Sequence, residues 1–327
     1  MMLPGMIILI AFYFVPMLGC CMAFQDFIPA KGILGSKWIG FENFKYMFSL
    51  PDSRRIFVNT LAIACGKIII GTLVPIIFAL LLNEIRIKWF KRVSQTIVYL
   101  PHFLSWIVLA AVIRNLFAYD GPINQLMESL HMTPVLFLGS NQWFRPLLIG
   151  TDVWKEFGYN SVVYLAALTS IDTGLYEAAS IDGANRFKQM IHITLPGILP
   201  IVLLMSAINV SNILNAGFDQ IFNLYNPVVY ETGDIIDTYV YRAGLLDMQF
   251  SFATAVGLLK SVVGCILLIS CNQMAKKFTD RRFLGGSRND KIKNNRRKDG
   301  RYFNISDSDL YDNVLSVSAS EYGCNFL

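Results

Sequence analysis

Long runs of apolar residues alternate with short polar segments along most of this chain. A helix needs about 20 consecutive, mainly apolar residues to cross a bilayer. The pattern predicts six such helices, at about 3–24, 57–82, 94–117, 146–169, 197–217 and 251–275. Lipid offers no partner to a peptide group, so each span must satisfy its backbone hydrogen bonds internally. We therefore predict an all-α, polytopic membrane protein with six transmembrane helices.

The polarity of the chain changes beyond about residue 285. Residues 286–327 are rich in Asn, Ser, Asp, Lys and Arg and contain few apolar side chains. A segment of this composition cannot bury enough apolar surface to fold. We predict a transmembrane domain over residues 1–285 and a polar, disordered tail over residues 286–327.

The overall composition agrees with a membrane protein and excludes several other classes. Of the 327 residues, 54% are hydrophobic and 16% are charged, whereas soluble domains carry about 25% charged residues. The net charge of +5 is spread over loops and the tail, so nothing indicates nucleic-acid binding. The cysteines and histidines lack the spacing of a metal or redox site. The sequence contains no GxxxxGKS or GxxxxGKT phosphate loop, so we expect no ATP and no other cofactor in this chain.

Charged residues in the loops predict the side of the membrane on which each loop lies. The loop at 83–93 contains four cations and one acid, and 276–282 is also basic, so both are predicted to be cytoplasmic. The segment at 218–250 carries five acids and one arginine and is predicted to be external. The loop at 25–56 carries five cations against three acids and opposes this scheme. The other loops decide the orientation, with both termini in the cytoplasm.

A polar segment at about 170–197 separates the fourth and fifth predicted spans. It is longer than a turn between membrane helices requires, and its Ala, Glu, Lys and Gln favour a short helix of its own. A glycine within it permits a left-handed backbone conformation, and a proline suits the first turn of the next helix. The residues of interest in this segment are Glu177, Ala178, Ala179, Asp182, Gly183, Ala184, Ile193, Leu195 and Pro196.

The order of these residues resembles the cytoplasmic signature loop of binding-protein-dependent ABC importer permeases. The matching order is EAA, three residues, Gly, nine residues, Ile, one residue and Leu-Pro. The resemblance implies a type I ABC importer permease fold, in which this loop is a coupling helix seated in a cleft of an ATPase subunit. Glu177 would then contact a basic group of the ATPase, the alanines would allow close packing, and Gly183 would form the turn. The alternative is that Glu177 and Asp182 only cap or solvate the local helix.

Further stretches are similar to one branch of these permeases, the polysaccharide and oligosaccharide group sometimes called the LplB type. They include YLPHF at 99–103, WKEFG at 154–158 and the segment 230–242, and the resemblance as a whole covers 3–285. It implies a bacterial plasma-membrane subunit that pairs with a second homologous permease, an ATPase dimer and an extracellular solute-binding lipoprotein. ATP and Mg would be bound by the ATPase subunits, and the substrate would be a glycan. Nothing in the sequence identifies the sugar.

Amide and aromatic side chains inside the spans are candidates for a sugar pathway, because a sugar ring has a polar rim and an apolar face. Residues at steps of three would share one stripe of the fifth helix, or would instead join packed helices. This stripe contains Ser206, Asn209, Asn212 and Asn215. The other candidates for the pathway are Lys67, His102, Trp106, Asn160 and Tyr164.

These other candidates also have structural alternatives. Trp106 and Tyr164 would stack on a sugar or would serve in packing and interface anchoring, and a histidine such as His102 more often has a structural role. Lys67 is interpreted as the only unambiguous cation within a predicted span. It would therefore either pair with an acid or line an aqueous cavity.

Two other functions compete with an ATP-driven importer. An ion-coupled secondary sugar transporter needs acids within the membrane or internal repeats, and the predicted spans are interpreted as almost free of acids. A membrane enzyme needs clustered acids, a nucleophile or a metal set, and the acids at 219–247 fall in a stretch that fits the permease pattern. We therefore expect a permease subunit without enzymatic activity, with the ion-coupled secondary sugar transporter as the alternative.

Overall fold

A computed structural model describes residues 3–279 of the chain. The described residues are mainly helical, with one short antiparallel pair of strands, Gln25–Asp26 (β1) and Lys37–Trp38 (β2). The prediction of an all-α protein is confirmed as a mainly helical fold, and a hydrogen bond of 3.0 Å from Gln25 Nε2 to Ile33 O helps close the loop between the two strands. The predicted boundary at residue 285 and the tail beyond it lie outside the described residues.

The first predicted span is a continuous run of helical turns with changes in winding. The helices Leu3–Leu9 (α1) and Val15–Met17 (α2) flank a π-helical turn at Ile10–Phe14, and a 3-10 segment follows at Leu18–Phe24. Pro16 lies within this run and has no N–H to donate, which accounts for the irregular winding around it. Only 6% of its apolar window is buried, and the buried residue is Ala23 near its C-terminal end.

Two short helices follow, Gly32–Gly35 (α3) and Glu42–Ser49 (α4). The Asn43 side chain on α4 donates to the carbonyl of Ala23 at 2.8 Å and to that of Gln25 at 3.2 Å. These bonds attach α4 to the end of the first helical run.

The second predicted span is one long helix, Pro51–Glu84 (α5). The third is not a single straight helix, because Lys88–Tyr99 (α6), with a 3-10 turn at Leu100–Phe103, meets Trp106–Leu116 (α7) at an angle of 103°. Proline within the 3-10 turn removes a backbone donor. The side chain of Ser105 then caps α7 by accepting from the N–H of Val108 at 3.4 Å. The third predicted span, 94–117, is therefore sharply bent near Pro101.

The short helix Pro122–Ser129 (α8) precedes Asn141–Thr169 (α9), which contains the whole fourth predicted span. The remainder of the polar segment forms Thr173–Ile181 (α10), Arg186–Gln189 (α11) and a π-helical turn at Met190–Thr194. This turn continues directly into Leu195–Ser211 (α12). The fifth span was predicted to reach residue 217 and instead ends at Ser211, because the backbone turns at Asn212.

The last part of the described chain begins with short helices and ends with a long one. The short helices are Phe218–Leu224 (α13), Tyr230–Gly233 (α14) and Ile236–Tyr241 (α15), and the long helix is Phe250–Thr279 (α16). A 3-10 turn at Pro227–Val229 precedes α14, and a π-helical turn at Arg242–Leu246 follows α15.

Four helical segments of the described chain are long and apolar enough to cross a membrane. They are Gly5–Phe24, Pro51–Glu84, Arg186–Ser211 and Phe250–Cys271. The bent pair of α6 and α7 raises the number to five if it is counted as one span. Helix α9 has 29 residues and is long enough to cross a membrane. It is not among these segments because Asp152, Lys155 and Glu156 lie near its centre.

The centre of the packing lies between α5 and α9. A Cβ added to Gly66 of α5 would lie 2.4 Å from the Cδ1 of Ile149 on α9, so the Ile149 side chain packs directly over the backbone of α5 and would have to shift to admit a larger residue. One apolar cluster joins α5, α7, α9 and α13 and includes the fully buried Phe144. A second cluster joins α5, α9 and α12. The site described below is therefore built around one central helix pair.

Candidate functional site

Helix α10 contains the predicted signature residues and has defined ends. The carboxylate of Asp172 accepts from the N–H of Gly174 at 2.9 Å, which satisfies one of the free donors at the start of the helix. The helix ends at Ile181, Asp182 caps it, and Gly183 follows with φ +76°. A Cβ at Gly183 would meet nothing within 4 Å. The backbone conformation, and not the available space, is therefore what favours glycine at this position.

The outer face of α10 is accessible. Glu177 and Ala178 are exposed, as are Asp182 and Gly183 beyond them. Ala179 and Ala184 are half-buried beneath this face. Two large apolar residues border the face, Leu175 at 53% and Ile181 at 87% exposure.

Side-chain hydrogen bonds join α10 to the segment that follows. The amide Nε2 of Gln189 donates to Ser180 Oγ at 2.9 Å and to Ala184 O at 3.1 Å. The hydroxyls of Tyr176 and Thr194 lie 3.0 Å apart. These bonds link α10 to Thr194, which immediately precedes α12.

The last three signature residues lie at this junction with α12. Ile193 is half-buried in the π-helical turn, whereas Leu195 and Pro196 are exposed in the first turn of the helix. Close to them, a Cβ added to Gly197 would lie 2.8 Å from Cδ1 of Ile171. The start of α12 therefore packs against the residues that lead out of α9.

A buried polar network centred on α9 was not predicted. The ammonium of Lys67 on α5 lies 2.9 Å from Asp152 Oδ1 on α9 and 2.8 Å from Ala216 O, and it also bonds to the side-chain oxygen of Gln220 on α13. Gly217 has φ +94°, and a Cβ there would lie 2.7 Å from the Lys67 nitrogen. Glycine thus allows the chain after α12 to turn directly over this ammonium.

Gln220 links this ion pair to the helix backbone. Its side chain donates to Leu148 O at 2.7 Å and to Thr151 Oγ1 at 2.8 Å. The residue is completely buried, and an unsatisfied amide would be costly there. Of the two alternatives for Lys67, the structure shows the pairing with an acid.

A second polar cluster lies one turn further along α9, at the break between α6 and α7. Nδ1 of His102 is 2.7 Å from Glu156 Oε2, and Lys155 Nζ donates to His102 O at 2.9 Å and to Glu156 Oε1 at 2.8 Å. The His102 ring stacks on Tyr159 with centroids 3.9 Å apart. The Lys155 ammonium lies 5.4 Å from the ring centroid of Trp106. These contacts agree with the structural alternative for His102 and hold the broken span against α9.

These two clusters correct two sequence interpretations. The predicted spans are not almost free of acids, since Asp152 and Glu156 lie in the fourth. Lys67 is also not their only evident cation, because Lys155 and Lys260 lie in the fourth and sixth, and Lys260 pairs with Asp237. A signal was present, since the charges at positions 152, 155 and 156 recur at the three- and four-residue steps of one helix face.

The predicted amide stripe does not lie on one helix. Ser206 and Asn209 are half-buried on α12, but Asn212 caps its C-terminus and donates to Ile208 O at 3.2 Å. Asn215 is exposed in the turn beyond the helix. The prediction that all four share a helical stripe is wrong because the helix ends at Ser211.

The two remaining pathway candidates lie on α9. Asn160 is half-buried. Tyr164 is 3% exposed and belongs to the second apolar cluster with Ile76 and Ile198. This position fits the packing alternative given for Tyr164.

A further ion pair organises the turns between α14 and α16. The guanidinium of Arg242 forms two bonds to the carboxylate of Asp234, at 3.0 and 2.5 Å, and its carbon lies 4.5 Å from the ring centroid of Tyr230. Burial alone would lower the pKa of the Arg242 guanidinium. Its hydrogen bonds to the Asp234 carboxylate and the negative charge of that group have a larger opposite effect, so the pKa is raised. Within the described residues, no group of His, Cys, Asp and Glu has the arrangement of a metal site.

The comparison with known protein families matches residues 71–279 to the binding-protein-dependent transport system inner membrane component. In Bacillus subtilis (strain 168), the polygalacturonan/rhamnogalacturonan transport system permease protein YteP is 44% identical, covering 85% of this chain and 87% of that protein. Protein LplB of the same strain is 41% identical, covering 85% and 88%.

A solved structure is also similar along most of the chain. A bacterial ABC transporter involved in the import of the acidic polysaccharide alginate contains a chain that is 38% identical, with a TM-score of 0.79. The similarity covers 85% of this chain and 94% of that one. Together with its several apolar helices, these relationships make the protein a multi-pass membrane permease subunit and not an enzyme. The chain belongs to the family of inner membrane components of binding-protein-dependent transport systems.

Proposed function

We propose that this chain is one of two homologous permease subunits of an ATP-driven importer for a polysaccharide or oligosaccharide fragment. The observation that carries the proposal is the exposed face of α10, which is joined by hydrogen bonds to the start of α12. Such a face suits a subunit that is moved by a partner. Membership in a binding-protein-dependent family favours this function over that of an ion-coupled secondary transporter.

The proposed coupling helix is α10. Glu177 would contact a basic group of an ATPase subunit, while Ala178 and Ala179 would let the ATPase surface approach closely. Asp172 and Gly183 fix the two ends of the helix. Movement of the ATPase would then pass through Thr194 into α12, and the transport cavity would open alternately to each side of the membrane.

The proposed assembly contains three further components. A second homologous permease completes the pore, an ATPase dimer binds ATP and Mg, and an extracellular lipoprotein delivers the glycan. The alginate importer supports the last component, since it has a structure in complex with a periplasmic protein bound to an alginate pentasaccharide. This chain itself would hold no nucleotide.

The proposed topology has six spans within residues 1–285 and both termini in the cytoplasm of a bacterial cell. Helix α9 would form the fourth span, because Asp152 and Glu156 are each paired with a lysine inside the bundle. Pairing lowers the cost of placing charge within the membrane. The bent pair of α6 and α7 would form the third span, and residues 286–327 a polar tail.

The proposed substrate is an oligosaccharide that contains uronic acids. Two relatives support this class, since one is named for polygalacturonan and rhamnogalacturonan and the other for the acidic polysaccharide alginate. Side chains of the predicted pathway that remain accessible, including those of Ser206, Asn209 and Asn215, are proposed to contact its hydroxyl groups.

The replacement Glu177→Lys tests the coupling proposal, and Glu128→Lys on α8 is the matched control because both glutamates are exposed on short helices. The complete complex is reconstituted in liposomes, and ATP hydrolysis stimulated by the substrate-loaded binding protein is measured. We expect a fall of about tenfold for Glu177→Lys, since one charge-assisted contact becomes a repulsion. The control is expected to stay within about twofold of the wild type. Equal rates for the two variants would contradict the assignment of α10 as the coupling helix.

A further inference from the structure

A cleft on the surface of α7 faces α13 and has a mixed lining. It has a volume of about 320 Å³ and is lined by Ile107, Ala110, Ala111, Arg114, Asn115 and Asn223. Three of the lining residues are apolar, and the other three are a cation and two amides. A monosaccharide unit has the same division between its C–H face and its hydroxyl rim.

Arg114 is exceptional among the cations of the predicted spans. Within the described residues, Lys67, Lys155 and Lys260 of those spans each pair with a carboxylate, but Arg114 does not. Its guanidinium donates from Nη2 to the backbone carbonyl of Asn223. This bond holds the side chain across the cleft and leaves further N–H donors free, since a guanidinium has five.

The position of Arg114 lets its charged group reach the edge of the membrane. It lies in the last turn of α7, near the end of the third predicted span. Long cationic side chains near the ends of spans extend to the membrane interface, where a glycan can reach them. In the proposed topology this end of α7 and the whole of α13 lie on the external side, where a binding protein would release its glycan.

We propose that this cleft is an entry subsite for the carboxylate of a uronic acid residue, an inference that rests on the proposed transport of uronate-containing oligosaccharides. The free N–H groups of Arg114 match the two oxygens of a carboxylate. The amides of Asn115 and Asn223 lie where hydroxyl groups of the same sugar unit could bond. The apolar residues Ala110 and Ala111 leave room for its C–H face.

The experiment attaches a photoreactive group at the edge of the cleft and measures sugar binding directly. The variant Ile107→p-benzoylphenylalanine changes an exposed lining residue to which no sugar contact is assigned, and it is assembled into the complete complex in liposomes of phosphatidylcholine and phosphatidylglycerol. Illumination with radiolabelled trigalacturonate is expected to label this chain. Adding Arg114→Gln should lower the labelling about ten- to a hundredfold, the range for losing a hydrogen bond to a charged group. Arg92→Gln on the exposed surface of α6 is the control and should leave it unchanged.

Competition identifies the group that is recognised. Unlabelled trigalacturonate should abolish the labelling, whereas galactotriose, which lacks the carboxylates, should not. Equal competition by both sugars, equal labelling after Arg114→Gln, or labelling of phosphatidylglycerol in place of sugar would each overturn the proposal.

A second variant tests the subsite if the complex with Arg114→Gln does not assemble. Arg114→Lys keeps the charge but removes the planar pair of donors, so labelling should fall severalfold, and unchanged labelling would overturn the subsite. ATP hydrolysis of the Glu177→Lys complex is measured in the same preparation. A normal rate of ATP hydrolysis in that complex would contradict the assignment of α10 as the coupling helix. The photolabelling would still test the sugar subsite independently.

Discussion

The face of α10 and the network around Lys67 use charged residues in opposite ways. Glu177 and Asp182 are exposed on α10, beside the large exposed side chain of Ile181. Lys67 and Asp152 lie inside the helix bundle and are bonded to each other. The first arrangement leaves charge available for another protein, and the second uses charge to hold helices of the same chain together. Equal changes in charge should therefore have very different effects in the two regions.

The largest effect is expected from breaking the Lys67–Asp152 pair. Asp152→Ala leaves an ammonium inside the bundle whose side chain is only 10% exposed. Removing one partner of a buried pair costs about 3–5 kcal/mol, and the remaining bonds to Ala216 and Gln220 place the expectation at the lower end. The measurement is the free energy of unfolding in mixed micelles. Exposed Asp120 supplies the control, Asp120→Ala, which should change this energy by less than about 0.5 kcal/mol.

A double replacement separates loss of a pair from loss of a charge. Lys67→Met combined with Asp152→Leu removes both charges at similar volume. Such replacements are often neutral or stabilising, so most of the stability lost in Asp152→Ala should return. A double variant as unstable as the single one would show that the network stabilises the bundle through its specific hydrogen bonds.

The next largest loss of stability is expected at Gly217, and Gly183 is the comparison because both glycines have positive φ. Gly217→Ala forces a Cβ to within 2.7 Å of the Lys67 nitrogen at φ +94°, whereas Gly183→Ala has the same kind of backbone at φ +76° with open space around it. The left-handed conformation alone costs about 1–2 kcal/mol. We therefore expect about that loss for Gly183→Ala and a larger one for Gly217→Ala, measured in the same unfolding experiment. Equal losses would mean that the lysine moves aside without cost.

The two regions also differ in how well the sequence predicts them. The signature residues of α10 lie close together along the chain, so their order alone indicated the loop and its helix. The partners of Lys67 are 85, 149 and 153 residues away, and no local pattern encodes such pairings. The charges of α9 were visible in the sequence, but their burial depends on how α5, α9 and α13 pack.

The predicted spans also show that local sequence does not encode contacts between distant helices. Apolar length located the first, second, fifth and sixth helices well, because hydropathy depends on the residues of each segment alone. The break in the third span depends on Pro101, on the Ser105 cap and on contacts of His102 with α9. Proline disfavours a regular helix wherever it occurs, whereas the contacts that hold this bend at 103° come from another helix. The early end of the fifth span follows from the turn that carries Ala216 over Lys67.

A smaller effect is expected at the start of α10. Asp172→Ala removes the acceptor for the N–H of Gly174 and should cost about 1 kcal/mol of stability, the usual value of an N-cap. Asp172→Asn is the matched control, because an asparagine oxygen can accept the same bond. If α10 is the coupling helix, only the alanine variant should lower stimulated ATP hydrolysis. The same fall in both variants would indicate that the charge of Asp172, and not the cap, is required.

The smallest effect is expected at the exposed ion pair between Arg186 and Glu84. Their side chains are 61% and 48% exposed and lie 2.8 Å apart, close to the 2.9 Å of the Lys67–Asp152 pair. Water and salt weaken an exposed pair, so Arg186→Gln should cost less than about 1 kcal/mol and lose even that in high salt. The measurement is the free energy of unfolding at low and high salt, with Glu84→Gln as the reciprocal variant. A loss as large as that of Asp152→Ala would show that pairing geometry, and not burial, distinguishes the two regions.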